Sequence, residues 1–274
     1  PGTMDRATHE SAPTSAAASN LTSRWGRDYD LHHVGLQYRA QLSPTQRLEV
    51  SPYLQYRDID HPIFQVIAQV SQDWGAEMRY ENTAPLAGRQ NRLTVGFQPA
   101  LGHTQNKQFV NNAGAHGAGA RNELDRASTL ALYFENALSM SGRLTGTVGA
   151  RLERASRGVT DRFLSNGDQS DERTYNMASP RLGLLFDVSR STQLFANASR
   201  TIEPPLLLEL SSFGNSGGFI PLAPQSAVQY EVGARSRTLG VSWEAAIYDI
   251  EITNELLNQN VQPFPGAPFT VPTY

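Results

Sequence analysis

The sequence predicts an all-β chain: one antiparallel sheet of about ten strands, as a segment of a transmembrane β-barrel provides. Three observations predict it. The hairpin 126–154 alternates with a period of two, leaving one face apolar and uncharged and the other polar and charged. The connections alternate short and long along the chain. Aromatic residues (Tyr56, Trp74, Tyr80, Tyr175, Trp243, Tyr248) gather near strand ends, where an interfacial belt would place them.

The hairpin sets the pattern. Leu144, Gly146, Val148, Ala150 and Leu152 fall on one side, and Arg143, Thr145, Thr147, Gly149, Arg151 and Glu153 on the other. In the first arm Leu130, Leu132 and Phe134 oppose Thr129, Tyr133 and Glu135. Successive side chains of a pleated strand point to opposite sides, so period two means an extended chain. A soluble sandwich would turn the apolar face to a core, and a membrane barrel would turn it to lipid with a wet lumen behind.

Taken in order, 1–30 reads as a loop or mobile end, rich in Ser, Thr, Ala and Asn. Strand signals start at His32, where Val34, Leu36, Tyr38 and Ala40 share a face. The turn 43–46 leads to 47–57, where Pro52 lacks a donor and is expected to mark a bulge. A long connection, 58–72, precedes the strand 73–82. The turn 85–88 leads to 92–98, and a Gly-, Asn- and His-rich loop, 99–125, leads to the central hairpin. Another polar loop, 155–176, precedes the pair 180–188 and 193–200. The loop 201–225 precedes 227–236 and 240–252, and a proline-rich tail follows, re-entering a strand near Phe269. An outer-membrane barrel puts short turns at its periplasmic end and long loops outside.

Composition narrows the class. The chain has 274 residues, 39% of them hydrophobic, with a net charge of −3 and no cysteine. No run approaches the ~20 apolar residues of a spanning helix. The balanced charge argues against bulk-charge binding of nucleic acid. Disulfides, thiolate metal sites and cysteine nucleophiles are excluded. Met4 is followed by DRATHESAP, which has neither the basic start nor the apolar stretch of a signal peptide.

From Ser179 the run SPRLGLLFDVSRSTQLFANASRTIEPP, then QSAVQYEVGARSR and WEAAIYDIEITNELL, resembles the later barrel strands of TonB-dependent outer-membrane receptors, nearest to the ferric-siderophore and ferric-citrate group. The strongest match covers about a third of the chain, and the hairpin 126–154 also fits. The resemblance implies a barrel of about twenty-two strands around an N-terminal plug. It implies a ferric siderophore or related chelate as ligand, captured by extracellular loops and lumen. It also implies outer-membrane lipid around the barrel and energy from the TonB complex acting through the plug region. Residues 1–274 then read as a partial barrel domain without plug, with two unpaired sheet edges. The alternatives are a self-contained porin-like channel and a soluble secreted all-β binding domain.

Ferric chelates of the citrate or catecholate kind are anionic, and the planar donors of arginine pair two oxygens at once. The candidates near the outer mouth are Arg121, Arg126, Arg154, Arg157, Arg173 and Arg200. Alternatively, lumen arginines pair with Glu135, Glu153 and Asp187 and simply fill the interior. The histidines (His9, His32, His33, His61, His103, His116) lack metal-site spacing, and iron enters only as part of a transported chelate, not as a cofactor. The loop 114–120 lacks the Lys-Ser/Thr of a phosphate loop, and 165–172 lacks the acid spacing of a calcium loop. No catalytic constellation stands out, and no enzyme is expected.

Overall fold

A computed structural model describes residues 6–16, 18–210, 219–238 and 240–255, together with the backbone of Gln259–Val261 and Val271–Thr273. Two short helices, α1 (Arg6–Ser11) and α2 (Ala18–Thr22), precede an antiparallel sheet. Its strands are β1 (Asp28–Gly35), β2 (Tyr38–Ser43), β3 (Gln46–Pro62), β4 (Gln65–Asn82), β5 (Asn91–Asn112), β6 (Ala115–Ser139), β7 (Leu144–Asp161), β8 (Asp171–Asp187), β9 (Thr192–Glu203), β10 (Gln225–Thr238) and β11 (Val241–Thr253). Neighbours in sequence are neighbours in the sheet from β3 to β11.

β1 and β2 both pair with β3 and occupy one position in the sheet, so the sheet is ten strands wide. The break falls at Leu36–Gln37, between Gly35↔Tyr53 and Tyr38↔Val50. Opposite it sits Pro52, which has no N–H to give the ladder but accepts from Leu36 N at 3.0 Å. The first strand begins at Asp28, inside the segment expected to be a loop. Gly26 N donates to Pro62 O at 3.0 Å and Asn111 Nδ2 to Ser23 O at 3.0 Å, which ties this lead-in to the tips of two hairpins.

The strand faces follow the sequence. Residues opposite one another in the register share a face, so Leu132, Leu152 and Ala178 form one outward row and Phe134, Ala150 and Pro180 the next. Among the described residues this apolar face is left uncovered: Leu182 is 60% exposed, Leu132 49% and Val148 46%. A soluble sandwich would bury such residues. An uncovered belt of them fits lipid.

Two expected loops are corrected. Residues 58–72 and 99–125 are not loops but the upper halves of tall hairpins. β3 and β4 pair without a break up to Pro62↔Val66, with the reversal at Ile63–Phe64. β5 and β6 pair up to Asn112↔Ala115, irregular only near Gln108–Asn111. The tip of this second hairpin is Ala113–Gly114, both at positive φ (49° and 89°), the tight-turn geometry whose twist matches paired strands. The alternation vanishes from the sequence here because both faces are wet. Thr104 and Asn106 face the lumen side and His103 and Gln105 the outside, and all are polar. β6 runs for 25 residues, whereas ~9–11 tilted residues cross a bilayer, so about half of it stands beyond the membrane.

The third connection shrinks to 162–170, because β7 and β8 extend into the expected loop 155–176. Asp161 organises it, accepting from Phe163 N at 2.7 Å and Gln169 N at 3.2 Å. The fourth, after Glu203, is a true loop carrying α3 (Leu207–Leu210). Its described parts fold over the lumen side of β7–β8: Leu210 is fully buried, Ile220 N donates to Leu210 O, and the Tyr175 hydroxyl donates to Leu222 O. Beyond β11, Gln259–Val261 pairs with Val271–Thr273; the tail reading near Phe269 lies outside the described residues.

Candidate ligand site

The lumen face carries a cross-strand ladder of polar groups. Near the short turns Glu81 accepts from Arg92 Nε at 3.1 Å and Nη2 at 2.8 Å, with Arg79 at 3.5 Å and Arg47 at 3.8 Å. Higher up, the Tyr133 hydroxyl donates to Glu77 at 3.0 Å, Arg151 bridges Glu153 (2.8 Å) and Gln98, and Arg181 pairs with Glu135. Toward the far edge Asn197 donates to Glu231 at 3.1 Å and Arg235 Nε to Gln193 at 2.8 Å. Gly96 makes room for this ladder, since a Cβ there would run into the Tyr133 ring.

The ladder opens where β8 and β9 part. They pair only from Arg181↔Ser199 down to Asp187↔Gln193. At the parting stands Pro180, which cannot donate, and above it Ile202 N donates instead to the Ser179 hydroxyl at 3.1 Å. The result is a recess of about 760 Å³ on the lumen side, lined among others by Tyr133, Arg151, Glu153, Arg157, Arg181 and Glu203. Pro204 forms part of its upper wall, where its ring fixes φ and stiffens the loop exit.

The six sequence candidates divide by face. Arg121, Arg157 and Arg173 face the lumen. Arg157 and Arg173 are register partners on β7 and β8, two like charges side by side. Arg157 is 9% exposed and donates to the carbonyls of Ser128 and Ser156, each at 2.9 Å. Arg173 lies 3.6 Å from Asp171. Arg121 stands higher, 2.6 Å from Glu123 without hydrogen-bond alignment. Arg126, Arg154 and Arg200 stand on the opposite, outward face, opposite Gly158, Leu130 and Val228. Only Arg157 and Arg200 reach the recess, and Arg200 comes to it from the outward side of its strand. The six share a position near the outer mouth, which the sequence order alone indicates, but not a face. The face was already encoded in the odd phase of Arg151 and Arg181, which share a side with Thr147 and Gly149 and were not singled out.

Above the bilayer-sized part of the sheet, on the lumen side, Glu123, Asp125 and Asp161 crowd together, with Glu123 directly opposite Asp161. Burial, reinforced by the charge of Glu123, pushes the Asp125 carboxyl up to about 6, against the pull of Arg121 and Asn106. At the outer hairpin tips His116 Nε2 meets Asp60 at 2.6 Å and its ring stacks on Phe109 at 4.4 Å. Among the described residues no group of three His, Asp or Glu is placed to hold a metal ion.

The sequence model of the family described as "TonB dependent receptor-like, beta-barrel" matches residues 3–274. The chain belongs to the TonB-dependent receptor β-barrel family. It is thus a barrel segment of the Gram-negative outer membrane. The receptor barrel is 30% identical to the metal-pseudopaline receptor CntO of Pseudomonas aeruginosa strain UCBPP-PA14 over 83 residues, 29% of this chain and 12% of that protein. In structure it is similar to the copper transporter OprC (TM-score 0.70, 16% identity, 89% of this chain and 42% of that one). It is also similar to the ferric citrate transporter FecA (TM-score 0.66, 16% identity, 89% and 37%). At these identities the two structures establish the fold. The chain spans well under half the length of the proteins it matches.

Proposed function

We propose that the receptor to which this barrel segment belongs transports a chelated metal across the outer membrane. Its cargo is an anionic chelate, a ferric siderophore or a related metal complex, and energy comes from the TonB complex. The segment's part is to bind the chelate rather than to transform it. The observation that carries this reading is the lumen recess at the β8–β9 parting, where Arg151, Arg157 and Arg181 converge in a receptor barrel. Arg151 and Arg181 are held by Glu153 and Glu135 and are therefore pre-positioned. Arg157 and Arg173, set side by side, gain from an anion that bridges them. CntO is named for a metal–metallophore cargo, which supports a metal chelate as the ligand class.

Equilibrium binding of ferric citrate, a ferric catecholate and a ferric hydroxamate to the purified receptor tests the proposal. Anionic chelates should bind, and R151Q/R181Q should weaken them by about tenfold or more, since each charge-assisted contact contributes about 1.5–3 kcal/mol. A neutral chelate should be nearly insensitive. Unchanged binding of every anionic chelate by R151Q/R181Q would count against the recess as the capture site.

A further inference from the structure

Below the β8–β9 parting, two further recesses continue the lumen side of β8–β11. The middle one, about 620 Å³, shares Arg181 and Ser199 with the recess above it. It shares Arg235 and Glu244 with the lowest one, about 570 Å³, at the short-turn end of the sheet. An arginine therefore stands at each junction of the series. Ser199 in the top recess and Gln193 in the lowest are six residues apart on β9, on the order of 20 Å.

Charge is uneven along this series. In the middle recess Arg181 pairs with Glu135, Glu231 accepts from Asn197, and Glu244 stands opposite Arg235. Its three carboxylates outnumber its two arginines. The lowest recess holds Arg190, Arg235 and Arg237 against a single carboxylate, Glu244. Its floor is the row Gln193↔Arg235↔Glu244 and the pair Arg237↔Ser242. Arg235 is already engaged: its Nε donates to Gln193 at 2.8 Å, and its guanidinium lies 5.9 Å from the centre of the Phe195 ring. Gln193 in turn donates to Asp187 at 2.7 Å, so that nearby carboxylate faces an amide and not an arginine. Arg190 and Arg237 are exposed, and their guanidinium groups have no hydrogen-bond or ion-pair partner among the described residues. The short turns 83–90, 140–143 and 188–191 contain Arg89, Arg143 and Arg190 and no acid.

Two unpartnered guanidinium forks around one recess suit an anion with several oxygens. We propose that the lowest recess is a second resting site for the anionic chelate, reached after it leaves the recess at the β8–β9 parting. Arg190 and Arg237 hold it there, and the acid-rich middle recess keeps it from settling between the two. Sites in series, each weak enough to release, let a charged solute move along a lumen. The second site rests on the proposed function, which supplies the cargo, and adds where that cargo pauses. Inorganic phosphate offers similar oxygens and is the competing occupant.

The test uses the whole purified receptor carrying one nitroxide-labelled cysteine, as L206C in the top recess or T238C beside Arg237. A paramagnetic ferric chelate speeds the relaxation of a nearby nitroxide, and the matching gallium chelate does not. The probe is whichever of ferric citrate and a ferric catecholate binds the receptor. It should relax both labels. R190Q/R237Q should need about tenfold more chelate, or above, to relax the label at 238, and leave the label at 206 within about twofold of wild type. R190K/R237K should recover part of the loss. A label at 238 left unrelaxed where the label at 206 is saturated, or relaxed equally in R190Q/R237Q, would overturn the second site and leave the proposed function standing. Binding of neither chelate would remove the proposed function, and the second site with it. Loss of the effect at 238 alone on adding inorganic phosphate would assign the recess to free phosphate and overturn its role for the chelate.

Discussion

Replacing Val148 with arginine puts a guanidinium on the lipid side of β7, halfway between Leu144 and Leu152. Val148 is 46% exposed on that side, and its register partners are Asn136 and Leu182. A lipid-facing Arg or Lys at the bilayer midplane costs about 2–4 kcal/mol, and each 1.4 kcal/mol is about tenfold. Val148→Arg should therefore shift the folding equilibrium by roughly thirty- to a thousand-fold. Thr147→Arg is the matched control. Thr147 lines a lumen recess with Glu135, Arg181 and Glu231, where a further cation meets water and carboxylates. The assay is the amount of protease-resistant barrel in outer membranes, followed by the urea midpoint of each variant in liposomes. V148R should be depleted and T147R near wild type. Equal assembly of both would refute the assignment of faces, and so the membrane reading of the sheet.

Three further perturbations test other parts of the structure. Gly96→Val places atoms where the Tyr133 ring lies. It should lower the urea-unfolding stability by about 1–3 kcal/mol, and much of that loss should return in G96V/Y133A. Asp125 titrates near 6 in the folded hairpin, above its ordinary value. Its contribution is fully present below pH ~4 and lost as pH rises through 6, on the order of 1–3 kcal/mol, and Asp125→Asn should flatten the urea midpoint between pH 4 and 7.5. Glu81→Gln releases the arginine cluster near the short turns. Because those arginines are half exposed, the loss of urea-unfolding stability should be only about 1 kcal/mol and shrink in high salt.

The membrane-crossing half of each strand was legible in the sequence because one face meets lipid and the other water. The hairpin 126–154, the pair 180–188 and 193–200, and the pair 227–236 and 240–252 fall on observed strand pairs, overrunning a strand end only at Val188 and Gly240. Pro52 marks no bulge in β3, which pairs with β4 without a break, but lies opposite the interruption at Leu36–Gln37 in the neighbouring strands. The upper halves of the tall hairpins were not legible. Where both faces are wet, polarity carries no period, and residues such as Thr104, Gln105 and Asn106 read as loop although they pair in register. In the candidate site, the residue type was legible and the side was not. Arg126, Arg154 and Arg200 were grouped with Arg121, Arg157 and Arg173, and phase along the strand separates them.

The most direct measurement exploits the absence of cysteine from the chain. Single cysteines at successive positions from 116 to 138 and from 144 to 160 would be reacted with a water-soluble maleimide in intact receptor. Reactivity should alternate between neighbours over 130–138 and 144–152, low at Leu132, Phe134, Val148 and Leu152 and high at Tyr133, Thr147 and Arg151. Above those segments, toward Gly119 and Thr160, the alternation should fade as both faces become wet. Uniform reactivity along 130–138 and 144–152, or alternation of the opposite phase, would contradict a barrel wall with lipid on one face and a chelate-binding lumen on the other.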